Sequence, residues 1–362
     1  MERFTGQLLR RAPHLAVLFY DAIGDFVVAT PLLRGLREKY SGCTVDYFGG
    51  ERSRQLEEAS PLIDSRFSVF GDPGALERLP AYLAERRRVA GPYDLAINCD
   101  DHPALAVVAS ALDPRYVVGR CLDAGLRADL PPAAERVDAL YAENWADPEL
   151  LARFGDVLQS QYIAEIFCRL ARVETDFGRT EVPAAPPPGE VPDILIATGG
   201  KRAAKLWPAG HWLTFLELCR ARGFAVGLLG DSPPRQRRQY HAGDTDELIL
   251  ARSLAADLRG RLTLPQVCGA LRAARACVTI DNGIMHLAGA AGVPTLALFG
   301  ASPWRLWAPP VPHLRIVLGT EPCSLCEENR YRNEHCLRER QVCLESLTPE
   351  MVIAHLDDLL AR

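Results

Sequence analysis

The sequence predicts an α/β protein built on two open parallel sheets. Short apolar runs alternate with amphipathic stretches, and a proline-rich segment interrupts the alternation before it begins again. Length points the same way. At 362 residues the chain exceeds what one core comfortably organises, so two domains are expected.

Taken in order, the first half supplies HLAVLFY, TVDYF, YDLAINC and RYVVG as strands, with helical patterns between most of them. Residues 148–172 read as one longer helix. The segment TEVPAAPPPGEVPD (180–193) has no apolar periodicity, and its prolines stiffen the backbone and withhold strand donors, so it reads as a linker. Strand DILIAT follows, then a helix from about Trp207, strand FAVGLLG and a less regular stretch to Arg261. A helix near LPQVCGALRAA, strand ACVTI, a helix opening at Asp281, strand PTLALFG and the helix TPEMVIAHLDDLLA complete the chain. The expected domains are therefore 1–179, a linker 180–193, 194–345 with a cysteine-rich tail at 323–343, and a closing helix 346–362. Ligands of such sheets sit beyond the carboxyl ends of the strands, which places the expected binding cleft between the domains.

Composition narrows the function classes. A net charge of −5 gives no extended nucleic-acid surface. No apolar run reaches the roughly 20 residues of a membrane span. The start, MERFTGQLLRRAPHLAVLFY, lacks the pattern of a signal peptide, so a cytoplasmic protein is expected, with peripheral membrane contact left open. Lysine is scarce: of 41 basic residues only Lys39, Lys201 and Lys205 are lysines, and two of the three lie within five residues. An ammonium rather than a guanidinium is wanted there.

Three strand-to-helix junctions carry chemistry. In LAVLFYDAIGDFVVATPLLRGL a strand ends near Asp21 and a helix begins around Gly24-Asp25. Asp25 reads either as a helix cap or as a carboxylate able to take a proton. In DILIATGGKRAAKLWPAGHW, Thr198-Gly199-Gly200 offers backbone amides to an anion, and Lys201 and Lys205 add mobile charges suited to a diphosphate. A solvated basic loop is the plainer alternative. In ACVTIDNGIMHLAGAAGVPTLALFG, Asp281, Asn282 and Gly283 open a helix whose amides approach an anion, with His286 a turn further on. Asp281 as a cap and His286 as a core residue are the alternatives. Neither a dinucleotide motif nor a Walker A loop is present, because both spacings fail. Physics alone reaches a diphosphate or nucleotide-diphosphate site in the C-terminal domain.

The same blocks carry a resemblance. IGDFVVATPLL (23–33), the K-x-W-P segment from Lys205 to Pro208 and the block 281–300 together resemble glycosyltransferase family 9, the ADP-heptose lipopolysaccharide heptosyltransferases. The resemblance implies the GT-B architecture, two Rossmann-like domains facing a cleft. It implies that Asp25 is the general base of an inverting displacement. Thr198, Gly199, Lys201, Lys205, Asp281, Asn282, Gly283 and His286 would line the site of a nucleotide-diphosphate sugar, ADP-heptose above all, and no metal or other cofactor would take part in catalysis. The acceptor would be the hydroxyl of a glycan, a lipid-linked sugar or another molecule. Two departures stand out: Asn282 replaces the family's Thr or Ser, and Asp100-Asp101-His102-Pro103 replaces an L-Q-G-type stretch. Asp100 and Asp101 then either bind acceptor hydroxyls or cap the next helix. A sugar-nucleotide epimerase on the same scaffold is the alternative enzyme, and a non-catalytic nucleotide-binding module a third reading.

Eleven cysteines remain to be placed. Seven lie in apolar stretches and read as small core residues. The other four, Cys323, Cys326, Cys336 and Cys343, form C-x2-C-x9-C-x6-C. Four thiols opening on C-x2-C suit a structural zinc or iron ion, and two disulfides fit the count equally.

Overall fold

Why the central strands form is visible from their composition: a strand covered on both faces is a nearly continuous apolar run. A computed structural model describes every residue except 124, 126, 127, 132, 133, 243 and 362, so the last position of the expected closing segment lies outside the described residues. The chain divides into two units, Met1–Trp145 with Glu149–Pro183, and Ala146–Pro148 with Ala184–Arg362.

The first unit holds β1 (Glu2–Arg3), β2 (His14–Leu18), β3 (Thr44–Gly50), β4 (Ser65–Phe70), β5 (Leu95–Asn98) and β6 (Tyr116–Gly119). Their order is β1-β6-β5-β2-β3-β4, and every pairing is parallel. All residues of β2 and β5 are buried. The second unit repeats the scheme with β7 (Ile194–Ala197), β8 (Val226–Leu228), β9 (Ala256–Asp257), β10 (Ala276–Ile280), β11 (Thr295–Phe299) and β12 (Leu314–Leu318). Its order is β12-β11-β10-β7-β8-β9, again parallel throughout. In each sheet the strand order reverses once, between β2 and β5 and between β7 and β10. Those reversals are where a parallel sheet opens a crevice at its carboxyl edge.

The helix Ile23–Lys39 contains Pro31, which has no N–H to give the carbonyl of Val27. Thr30 repairs the gap. Its hydroxyl donates to that carbonyl at 2.7 Å and accepts from the amide of Glu181 at 2.9 Å, so one buried side chain mends the helix and fastens the segment leading out of the unit. The proline-rich stretch is anchored in turn: the amide of Ala185 donates to Pro265 at 2.8 Å, and a Cβ at Gly269 would meet the Ala185 carbonyl at 1.9 Å.

Residues 148–172 do not form the one long helix expected. Two short helices, Leu150–Phe154 and Ile163–Leu170, flank a loop. The carboxylate of Glu165, in the first turn of the second, accepts from the amides of Gln159 and Ser160 and from the Ser160 hydroxyl at 2.7–2.8 Å. The carboxylate thus fixes the loop that separates the two helices. The helix expected from Trp207 begins at Ala209. Trp207 is instead a buried anchor whose indole donates to the Leu347 carbonyl at 2.8 Å, packed edge-on against Trp212 at 4.9 Å. Among the described residues no helix is long and apolar enough to cross a membrane.

Candidate functional site

At the reversal of the second sheet, the loops after β7 and β10 meet. Lys205 lies at the end of a three-residue 3-10 turn, Ala203–Lys205, and its Nζ donates to Asp281 Oδ2 at 2.6 Å. Asp281 is buried. Burial pushes its carboxyl up, but the charge and hydrogen bond of Lys205, with a bond from Ser302, outweigh it and hold the group below the usual carboxylate range. Lys205, expected to stand ready for an anion, is thus already paired.

Asn282, not Asp281, caps the helix Gly283–Ala291. Its Oδ1 accepts from the amides of Ile284 and Met285 at 2.9 and 3.2 Å, and its Nδ2 donates to the Gly199 carbonyl at 2.9 Å. The side chain therefore binds two of the amides expected to face an anion and leaves that of Gly283 out of the cap. It also ties the two strand ends together, a role that explains why an amide side chain is tolerated there.

The Thr198-Gly199-Gly200 loop is likewise more closed than expected. The Thr198 hydroxyl donates to buried Asp246, and the amide and carbonyl of Gly200 pair with those of His241 at 2.9 and 2.8 Å. Lys201 is exposed beside it. His286 is buried, and among the described residues its Nδ1 has no hydrogen-bond partner. Burial drives its pKa down to about 4, against the pull of Asp281 and helped by Lys205, so the ring is neutral at ordinary pH.

Sequence reasoning missed several members of this site. Arg202 donates to the Ala301 carbonyl, to Ser302 Oγ at 3.4 Å and to the Asn333 carbonyl at 3.0 Å. Ser302 and Asp246 were not singled out either. The Lys-Arg dipeptide after the glycines is the one local signal available; Ser302 follows the end of β11 and Asp246 lies in the first turn of helix Thr245–Ala251, neither with a motif of its own.

At the reversal of the first sheet, Asp25 occupies the first turn of helix Ile23–Lys39 and is half-buried; Ala22 is the cap residue and offers no side-chain bond. Its neighbour Asp21 is consumed internally, accepting from the Arg52 amide at 2.7 Å. Asp100, after β5, accepts from the His102 amide at 2.8 Å, and burial pushes its carboxyl up. The helix Pro103–Ala111 is capped by His102 through Nδ1, so neither Asp100 nor Asp101 serves as its cap. The His102 ring stacks on Tyr20 at 5.3 Å, and Phe70 closes the group edge-on at 4.8 Å from each. Asp25 and Asp100 both act on the buried phenol of Tyr47, whose pKa is raised first by burial, then by Glu57 and by these two. The two carboxylates thus share one end of the sheet.

Cys323, Cys326, Cys336 and Cys343 are free thiols, and all four line one pocket with Ala204 and Gly300. The side chain of Asn333 donates to Cys326 Sγ at 3.4 Å and the amide of Arg338 to Cys336 Sγ at 3.5 Å. Even so, among the described residues no group of three or more His, Cys, Asp or Glu side chains is arranged to hold a metal ion.

The family model described as glycosyltransferase family 9 (heptosyltransferase) matches residues 149–337, just over half of the chain. Lipooligosaccharide heptosyltransferase 2 of Haemophilus influenzae is 24% identical over 360 residues, covering 94% of this chain and 97% of that protein. Among solved structures, Escherichia coli ADP-heptose lipopolysaccharide heptosyltransferase II aligns with a TM-score of 0.67 at 20% identity, over 96% of this chain and 98% of the other. The iron-containing dodecameric glycosyltransferase TibC of enterotoxigenic E. coli aligns with a TM-score of 0.57 at 16% identity, over 98% and 80%. These likenesses are to the GT-B fold.

Proposed function

The chain belongs to glycosyltransferase family 9, and from that premise we propose that it moves heptose from ADP-heptose to an acceptor hydroxyl with inversion of configuration. The observation that carries the reading is the Lys205–Asp281 pair at the carboxyl ends of β7 and β10, beside the start of helix Gly283–Ala291. An ammonium has three N–H donors, and one is given to Asp281, so two serve phosphate oxygens. Gly283 adds the first amide of the helix and its positive end. Thr198 and Gly199 act by holding the loop, Lys201 by long-range charge, Asn282 by joining the two loops, and neutral His286 by packing beneath them.

In this reading Asp25 takes the proton of the acceptor hydroxyl as its oxygen bonds to the anomeric carbon. The bond from that carbon to the diphosphate breaks, and its electron pair leaves with ADP, whose growing charge Lys205 offsets. The relatives are named for lipopolysaccharide and lipooligosaccharide, which supports a glycan acceptor, and Asp100 and Asp101 would accept bonds from its hydroxyls. Exchange of Asp25 for asparagine tests the assignment. Turnover of ADP-heptose is expected to fall about 10²- to 10⁴-fold with ADP affinity nearly unchanged. A variant that keeps more than about a third of the wild-type rate would move the base elsewhere, with Asp100 or Asp101 next in line.

The four tail cysteines would hold one structural zinc or iron ion. Their shared pocket, the N–H···S bonds to Cys326 and Cys336 and the iron of a structural neighbour support this. The ion would brace the tail and take no part in transfer.

A further inference from the structure

The turn that carries Lys205 is too short to hold its own shape. A 3-10 piece of three residues closes few internal bonds, and here the turn's own are Lys205 N to Arg202 O and Leu206 N to Ala203 O, both at 3.1 Å. Three more of its polar backbone groups are taken up by the cysteine-rich tail. The amide of Ala204 donates to the Glu334 carbonyl at 2.9 Å, and the amide of Ala203 to Glu334 Oε1 at 3.2 Å. Gln341 donates through Nε2 to the Ala204 carbonyl.

Glu334 does a second thing. The same Oε1 pairs with His241 Nε2 at 2.7 Å, and the backbone of His241 clamps Gly200. One exposed carboxylate therefore joins the Ala203–Lys205 turn to the His241 backbone that holds Gly200, two points of the loop after β7. We propose that Glu334 and Gln341 are positioning residues for the donor site: they act through the Ala203–Lys205 turn to set where the Lys205 ammonium stands. The inference rests on the reading that Lys205 contacts the donor diphosphate. It gives the tail a task in ligand binding, separate from any ion it carries.

Glu334→Ala, Glu334→Gln, Gln341→Ala and Lys205→Ala in the full-length protein test it, with ADP and adenosine binding read by calorimetry and melting temperature recorded for each. Glu334→Ala and Gln341→Ala are expected to weaken ADP roughly 3- to 10-fold and leave adenosine and the melting temperature unchanged. Glu334→Gln keeps an oxygen for the Ala203 amide and should bind ADP within about twofold of wild type. Unchanged ADP affinity in both alanine variants, or equal losses for ADP and adenosine, overturns the proposal. Lys205→Ala separates the two ideas. If it weakens ADP alone while the tail variants do not, only the positioning role falls. If it spares the ADP-to-adenosine ratio, the diphosphate reading falls and takes the positioning role with it.

Discussion

His286 shows how one side chain converts burial into a pH limit. Its ring is kept neutral with a pKa near 4, whereas an unfolded histidine titrates near 6.5. Below 6.5 the unfolded chain binds a proton that the folded chain refuses. Stability from this residue is therefore complete above about pH 6.5 and is lost as pH falls toward 4. The loss is at most about 3 to 4 kcal/mol, since each pKa unit is worth about 1.4. Denaturant midpoints at pH 7 and pH 4.5 should drop further for wild type than for His286→Asn; equal drops would refute the assignment. Asp281 has a separate window, because its folded carboxyl lies below the ordinary value and its contribution fades only under about pH 3.8. The sequence named both residues, and Lys205 with them. That Lys205 and Asp281 join is hidden by a sequence separation of 76, and Glu334 lies 131 from the amide it holds. No local pattern encodes a bond across such distances.

At the scale of elements, legibility follows cover. The strands read in advance are β2, β3, β5 and β6 in one sheet and β7, β8, β10 and β11 in the other, the interior members of both. Those missed, β1, β4, β9 and β12, are the four edges. An interior strand of a parallel sheet is apolar on both faces and announces itself. An edge strand mixes polar positions, as in SRFSVF, or is only two residues long, as at Glu2–Arg3 and Ala256–Asp257. The Thr30–Pro31 device belongs to this scale too. Thr30→Val keeps the shape but strands the Val27 carbonyl and the Glu181 amide, so a loss of about 1 to 3 kcal/mol is expected in chemical denaturation, with Thr30→Ser close to wild type. A valine variant within about 0.5 kcal/mol of wild type would mean that the helix does not need the repair.

For the molecule as a whole, each unit closes its own six-stranded sheet over its own core, and the tail belongs to the second. Protein purified without added metal should carry about one zinc or iron per chain by elemental analysis, and removing it should lower the melting temperature by roughly 5 °C. Four titratable tail thiols and no bound metal would contradict this. The packing beneath the Lys205 turn has an optical side as well. Trp207, two positions past Lys205, and Trp212 lie 4.9 Å apart at 83°, close and nearly crossed. Such a pair couples its electronic transitions, so the protein carries a built-in chromophore whose near-ultraviolet dichroism registers the posture of that turn without any label.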